Sequence, residues 1–243
     1  MSIPRPPLHA VALVLGAVFL VEFVVSGISP IARDAWLLEN VIVVVGVAIL
    51  ATTWRKFPFS RISYTMVFLF LSLHEIGAHY TYSLVPYDEA CMRVFGFSLN
   101  EALGFERNHF DRAIHFAYGL LLTYPIREVY VRVVDVRGVW GYVLPLGFTM
   151  STSMIYELIE WGAAVIFGGD LGMHYLGTQG DIWDAHWDML LATLGAVIAM
   201  GITLALNASL QRDFAMEWAH SLTVKSDKPL GEEALAEMLD DGD

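Results

Sequence analysis

The sequence predicts an all-α fold, a polytopic transmembrane helix bundle of about six spans, and three observations support it. Hydrophobic residues make up 56% of the 243 residues and charged residues only 16%, whereas about 25% of the residues in a soluble domain are charged. The mean hydropathy is +0.54. Six segments each reach the roughly 20 mostly apolar residues that a spanning helix needs. This composition disfavours a soluble enzyme or a disordered chain, and the formal charge of −12 disfavours a nucleic-acid-binding protein, which needs a basic surface.

The six predicted spans differ in how many charged residues and histidines they contain. They cover residues 8–28, 35–54, 62–85, 110–134, 139–167 and 183–206. The first two are almost wholly apolar, and the other four contain charged residues and histidines. A signal peptide is the alternative for the first segment, but no small-residue cleavage site follows it and Glu22 lies within it, which favours an uncleaved span.

The distribution of basic residues predicts the orientation of these spans. Ten of the fourteen Lys and Arg residues lie near the two termini or near the loops after the second and fourth spans, three lie on the opposite side, and Arg112 lies within a span. Because cytoplasmic loops carry the excess of Lys and Arg, both termini are predicted to be cytoplasmic. Residues 1–212 are predicted to form a single transmembrane domain. Residues 213–243 are predicted to form a cytoplasmic acidic tail, largely disordered from residue 225, where seven acids accompany two lysines.

Ionisable side chains within or directly before the later spans fall into four groups. Charge inside a bilayer is costly and suggests a functional site. Spans three and five run outward with these residues in their second halves, and spans four and six run inward with them in their first halves. All four groups are therefore predicted to lie at one depth, in the outer half of the membrane. The groups are His74, Glu75 and His79; His109, Asp111, Arg112 and His115; Tyr156, Glu157 and Glu160; and Asp181, Asp184, His186 and Asp188.

The spacing within these groups predicts a shared metal site. Residues three or four apart lie on one helix face, as Asp111 and His115 do. Helix bundles build metal sites from carboxylates and histidines on facing helices, and this mixed ligand set suits zinc or iron better than magnesium or calcium. The candidates for a catalytic general base, or for a residue that orients a ligand, are Glu75, Asp111 and Glu160. The candidate metal ligands are His74, His79, His115, Glu157, Asp184 and Asp188.

Other interpretations of the same residues stay open. Buried ionisable groups often only pair with one another, and Arg112 is available to neutralise one or two of the acids. A hydrated cavity with protonated acids, as in a proton-coupled transporter, also explains them. A transporter site is expected near the midplane between repeats, and no convincing repeat is evident in this sequence.

The enzyme hypothesis is a metal-dependent hydrolase of the membrane. A metal in the outer half would activate water against a lipid or lipid-linked substrate that enters sideways from the bilayer. The alternatives are a proton-coupled transporter and a non-catalytic envelope or assembly protein. A non-catalytic protein is expected to tolerate the loss of single acids, whereas an enzyme is expected to lose its function.

Four strings together resemble one family, the YjdF-type inner-membrane proteins of bacteria, which has no assigned activity. The strings are HEIGAHYTY, RNHFDRAIHFAYG, YELIEW and LGTQGDIWDAHWDM, and the resemblance extends from the first span to Leu206. It implies a multi-pass protein of the bacterial cytoplasmic membrane with about six spans. The chain is more distantly similar to VanZ-like membrane proteins, a similarity that rests on Asp111, Arg112, His115, Glu157 or Glu160, Asp184 and Asp188. Asp181 and Trp161 stand where the VanZ pattern usually has an Arg and a Gln or Asn.

Overall fold

The computed structural model of the protein describes residues 8–168 and 178–225, together with 231–232, 236 and 238–239. Within these residues the chain is helical and contains no strand, which confirms the predicted all-α class. The helices are α1 (Leu8–Ser26), α2 (Arg33–Thr53), α3 (Arg61–His79), α4 (Tyr87–Phe95), α5 (Leu99–Leu103), α6 (Phe110–Val133), α7 (Trp140–Phe167), α8 (Asp184–Leu210) and α9 (Phe214–Ser221).

Six of these helices are long, and they occupy the six segments predicted as spans. α1, α2 and α8 are each long and apolar enough to cross a membrane. α3, α6 and α7 are 19, 24 and 28 residues long, and these three helices carry many of the ionisable residues. The number of spans and the location of the termini stay predictions.

The closest helix packing lies between α6 and α8, where glycines bring the two backbones together. A Cβ atom on Gly119 of α6 would overlap the carbonyl oxygen of Ala192, and one on Gly195 of α8 would overlap the carbonyl oxygen of Phe116. Ala192 is fully buried in this contact. Small residues allow such close approach between helices in a membrane. The contact fixes the faces of α6 and α8 that carry the acids of their first turns.

The amino-terminal helices α1 and α2 pack mainly on α3. α1 lies along α3, where the Ser72 hydroxyl donates to Glu22 over 2.7 Å and the Ser26 hydroxyl donates to Glu75. In α2 the buried residues are confined to the first half of the helix, between Ala35 and Val43. The second half of α2 presents apolar side chains outward, as expected for a helix in contact with lipid.

The carboxyl-terminal helix α9 packs against the start of α7. The backbone N–H of Gly138 donates to Glu217 over 2.9 Å, and that of Val139 donates to the Ser221 hydroxyl over 3.0 Å. The indole N–H of Trp140 donates to the Ser221 carbonyl oxygen over 2.9 Å. The predicted tail from residue 213 thus begins with a helix that contacts the bundle. Most of the tail beyond residue 225 lies outside the described residues, and its disorder stays a prediction.

Replacing Glu217 by glutamine is expected to loosen this contact. The hydrogen bond from Gly138 holds the pKa of the Glu217 carboxyl below its ordinary value, so the carboxylate charge stabilises the docked helix at neutral pH. This contribution falls away as the pH drops through the lowered pKa. Hydrogen–deuterium exchange at about pH 7 is expected to show faster exchange of the Gly138 amide in Glu217→Gln. Equal exchange in both proteins would contradict the prediction.

Candidate functional site

Three side chains from α6 and α8 meet in a buried position and form what we call the α6–α8 cluster: Asp111, His115 and Asp188. Each offers a ligand atom, and the three atoms lie within 4.8 Å of one another. His115 Nε2 is 3.7 Å from Asp111 Oδ1. His115 and Asp188 are buried, and Asp111 is half-buried. The cluster lies one helical turn from the Gly119–Ala192 contact on both helices, so the same faces carry the cluster and the packing.

A third helix adds two acids to this cluster. Glu157 Oε1 on α7 lies 3.5 Å from His115 Nε2. Glu160, one turn further along α7, is buried and interacts electrostatically with Asp111 and Asp188. Glu157 Oε1 and Asp188 Oδ1 are buried and have no hydrogen-bond partner among the described residues. Buried polar atoms are normally hydrogen-bonded, so these two oxygens are available to a ligand.

Four further side chains form an ion-pair group at the start of α6 and α8, which we call the arginine network: Arg107, Arg112, Asp181 and Asp184. Arg107 Nη2 is 2.6 Å from Asp184 Oδ1, and Arg112 Nη2 is 2.5 Å from Asp181 Oδ2. The Asp184 side chain is 4% exposed and that of Asp181 is 26% exposed. The N–H of Trp183 and the guanidinium groups of Arg112 and Arg107 lower the pKa of the Asp181 carboxyl. Asp184 is therefore an arginine partner, outside the α6–α8 cluster.

Two tyrosines place His74 and a further acid beside the cluster. The hydroxyl of Tyr82 is 2.6 Å from His74 Nδ1, and Tyr82 interacts electrostatically with Asp111. The hydroxyl of Tyr156 donates to Glu39 over 2.8 Å, and the Tyr156 ring lies edge-on to His115 with centroids 6.0 Å apart. His74 and Tyr156 thus border the cluster without joining its three ligand atoms.

Four other predicted site residues lie outside the cluster. Glu75 accepts a hydrogen bond from Ser26, and His79 Nδ1 lies 2.8 Å from the Ser26 carbonyl oxygen, so both residues contact the end of α1. His109 stacks on Phe105, and His186 packs edge-on to Trp183. Burial, together with the charges of Arg112 and Arg107, lowers the pKa of His109, which keeps its ring neutral near pH 7.

Sequence reasoning missed three residues at this site. Arg107 is one of the three basic residues on the outer side of the predicted topology, and its only signal is that it lies four residues before Asp111. Glu39 has a detectable signal, because it is a lone carboxylate close to the unbroken apolar run of the second span. Tyr82 had none, because its position depends on left-handed backbone at Thr81 (φ 53°) and Tyr82 (φ 52°), which non-glycine residues rarely adopt.

Comparison with known proteins identifies the family of this chain. The family described as "Predicted membrane protein (DUF2238)" matches residues 11–209. That range includes the whole cluster and the arginine network. The chain belongs to the DUF2238 family. No solved structure gave a significant match to the chain.

A curated relative agrees with this assignment. The DUF2238 chain is 38% identical over 173 residues to "Inner membrane protein YjdF" of Escherichia coli (strain K12), which covers 71% of this chain and 78% of the relative. The predicted resemblance to YjdF-type proteins is confirmed, and the chain is an integral protein of the bacterial inner membrane. The similarity to VanZ-like proteins stays a prediction.

Proposed function

We propose that this DUF2238 protein is a metal-dependent membrane enzyme, hydrolase-like in its chemistry, that acts on a lipid or lipid-linked substrate at the outer-leaflet side. The observation that carries the proposal is the α6–α8 cluster, whose three ligand atoms lie within 4.8 Å of one another. Its donor set is one imidazole nitrogen and two carboxylate oxygens. These donors suit zinc or iron better than the all-oxygen cations.

The electrostatics of the site support a bound cation. Asp111, Asp188, Glu157 and Glu160 lie close together, whereas the nearby Arg107 and Arg112 form their ion pairs with Asp184 and Asp181. A buried carboxylate without a counter-charge is strongly unfavourable. A divalent cation at the cluster removes much of this cost.

The residues around the cluster suit the activation of water. A zinc or iron ion held by Asp111, His115 and Asp188 would lower the pKa of its water toward neutrality and would polarise a carbonyl or phosphoryl oxygen. Glu157, whose buried Oε1 lies 3.5 Å from His115 Nε2 and has no hydrogen bond among the described residues, would accept the proton of that water. Glu160 lies close enough to Glu157 and Asp111 for their charges to interact. We assign His115, Asp188 and Asp111 as ligands and Glu157 as the general base.

The depth of the cluster supports a lipid substrate. Asp111 is the second residue of α6, so the cluster begins within about one turn, or 5.4 Å, of the helix end. The neighbouring faces of α8 expose large apolar side chains such as Leu190 and Leu194. A substrate with its polar group at the membrane surface and its chains in the bilayer fits this position.

The metal content of the purified protein tests this proposal. The protein is prepared in mild detergent, without added metal or a polyhistidine tag, and measured by inductively coupled plasma mass spectrometry. We expect about one zinc or iron ion per chain in the wild type and little in Asp188→Asn, because three protein ligands are typical of a catalytic zinc site. The control Glu22→Gln changes a carboxylate that is bonded to Ser72 on the far side of α3, and it is expected to keep the metal.

Two results would contradict the metal enzyme. One is a folded wild type that contains no metal, and the other is an Asp188→Asn variant that retains it. Metal retained in Asp188→Asn would reject Asp188 as a ligand and with it the α6–α8 cluster as the metal site. A folded wild type without metal would favour the second candidate, a proton-coupled transporter, which the electrostatic contacts among the acids and tyrosines between Glu39 and Asp188 support. A proton-uptake assay in liposomes would then separate the transporter from a non-catalytic envelope protein.

A further inference from the structure

We propose that the arginine network is the headgroup site for an anionic membrane phospholipid, with its phosphodiester on Arg107 and Arg112 and one acyl chain along α8. As an assignment of substrate class this deepens the proposed function and rests on it. As a binding site it depends only on the groups described below, none of which belongs to the α6–α8 cluster.

The network as it stands is neutral, with two arginines and two aspartates, and displacement of Asp181 would make room for a group with one negative charge. Asp184 is almost fully buried between the two arginines, 2.6 Å from Arg107 and 3.5 Å from Arg112. Asp181 comes from the loop before α8 and is the more exposed partner of the same arginines. When Asp181 turns into solvent, two guanidinium groups and one carboxylate remain, with a net charge of +1. A phosphodiester carries the matching single negative charge, and arginine binds phosphate oxygens with bidentate geometry.

An open cleft adjoins the network and has room for a headgroup. Its volume is about 540 Å³, within the range of about 300–1,000 Å³ typical of small-molecule sites. The amide of Gln179 exchanges hydrogen bonds of 3.1 and 2.9 Å with the backbone of Asn108 and holds the two sides of the cleft together. The residues that line the cleft include Phe105, Arg107, His109, Gln179 and Asp181.

A second cleft, on the lipid-facing side of α8, fits the acyl chain. It measures about 260 Å³ and is lined by Trp183, His186, Trp187 and Leu190, which the helical repeat places on one face. The guanidinium of Arg112 lies over the Trp187 ring, 5.6 Å from its centroid. This contact joins the charged site to the apolar cleft. A lipid with its phosphate on Arg112 can therefore lay a chain against Trp187 and Leu190.

Both halves of the site point to the same occupant. Free inorganic phosphate would use the arginines and leave the apolar cleft empty, while an uncharged lipid would use the cleft and leave Asp181 in place. Tryptophan at the membrane interface and arginine at the level of the lipid phosphates are the ordinary positions of these residues. An anionic phospholipid from the bilayer satisfies both at once.

Native mass spectrometry of the full chain, stripped of metal with a chelator, tests this inference. The probes are short-chain phosphatidylglycerol, short-chain diacylglycerol and glycerophosphoglycerol, which separate the whole lipid from its chains and its headgroup. We expect retention of phosphatidylglycerol and little of the other two. Arg112→Gln is expected to weaken binding about tenfold, the effect of losing one charge-assisted hydrogen bond, and the control Arg127→Gln, at the other end of α6, is expected to leave it unchanged.

Asp181→Asn is expected to change lipid binding in the opposite direction to Arg112→Gln. Because the variant removes the intramolecular competitor for the arginines, it is expected to bind phosphatidylglycerol more tightly than the wild type, whereas a residue needed only for structure would weaken binding. Equal retention of diacylglycerol, or unchanged binding in Asp181→Asn, would overturn the headgroup assignment. Because the lipid test uses protein stripped of metal, its result is independent of the metal measurement. If the stripped protein binds phosphatidylglycerol but the purified protein contains no metal, the headgroup site stands and the metal enzyme is rejected. If the purified protein contains metal but the stripped protein does not bind the lipid, the metal site stands and the headgroup site is rejected.

Discussion

Gly119→Ala is expected to prevent the folded bundle from accumulating. The added methyl group would overlap the carbonyl oxygen of Ala192, a backbone atom of the facing helix that no side-chain rotation can move. α6 and α8 must then separate along their whole contact. Overpacking of a well-packed interface costs about 1–3 kcal/mol and sometimes more, and we place this variant at the upper end because the obstacle is backbone. Size-exclusion profiles and melting temperatures in detergent measure the loss.

The control for this experiment is Gly201→Ala on α8. A Cβ at Gly201 has nothing within 4 Å, so this change adds the higher helix propensity of alanine without a clash. We expect Gly201→Ala to fold like the wild type or slightly better. If Gly119→Ala folds equally well, the close backbone contact between α6 and α8 is not a feature of the protein.

Arg107→Gln is expected to destabilise the protein by about 3 kcal/mol, because removing one partner of a buried ion pair leaves an uncompensated charge. The carboxylate left behind is Asp184, which loses its 2.6 Å contact and keeps only Arg112 at 3.5 Å. The double variant Arg107→Gln/Asp184→Asn removes that carboxylate charge. It is therefore expected to recover most of the lost stability, with unfolding measured by thermal or denaturant melts in detergent.

Arg137→Gln provides the comparison for an exposed pair. Arg137 and Asp135 are 60% and 78% exposed, and such surface pairs contribute about 0–1 kcal/mol. We expect a change close to zero. A double variant at Arg107 and Asp184 no more stable than Arg107→Gln would show that the arginine contributes by packing, and the buried ion pair would lose its assigned role.

The helix faces were predictable from spacing, but the neighbours of each face were not. Asp111 and His115 are four residues apart, and the structure places them together at the cluster. Glu75 and His79 have the same spacing, yet they contact α1 through Ser26. The helical repeat fixes the direction of a side chain relative to its own helix. The helix that this direction meets depends on the packing of the whole bundle, which a pattern within one segment does not encode.

The common depth of the polar groups was the more informative signal. The common depth predicted that residues of α6, α7 and α8 lie close together. In the structure, Asp111, His115, Glu157 and Asp188 are neighbours. The common depth did not predict the contacts of residues whose positions depend on loop conformation. Arg107 precedes α6 and contacts Asp184 at the start of the neighbouring α8, and Tyr82 returns to His74 through a left-handed turn. Both arrangements arise from tertiary contacts that the local sequence pattern does not specify.

The close contact of α6 and α8 has a consequence for the energised membrane in which the protein sits. An aqueous path along buried acids would let protons leak across such a membrane. Directly after the cluster, Gly119 and Gly195 bring the two backbones so close that even a methyl group does not fit between them. This contact leaves no space for water between α6 and α8. Beyond the cluster, water and ions therefore have no path between these two helices.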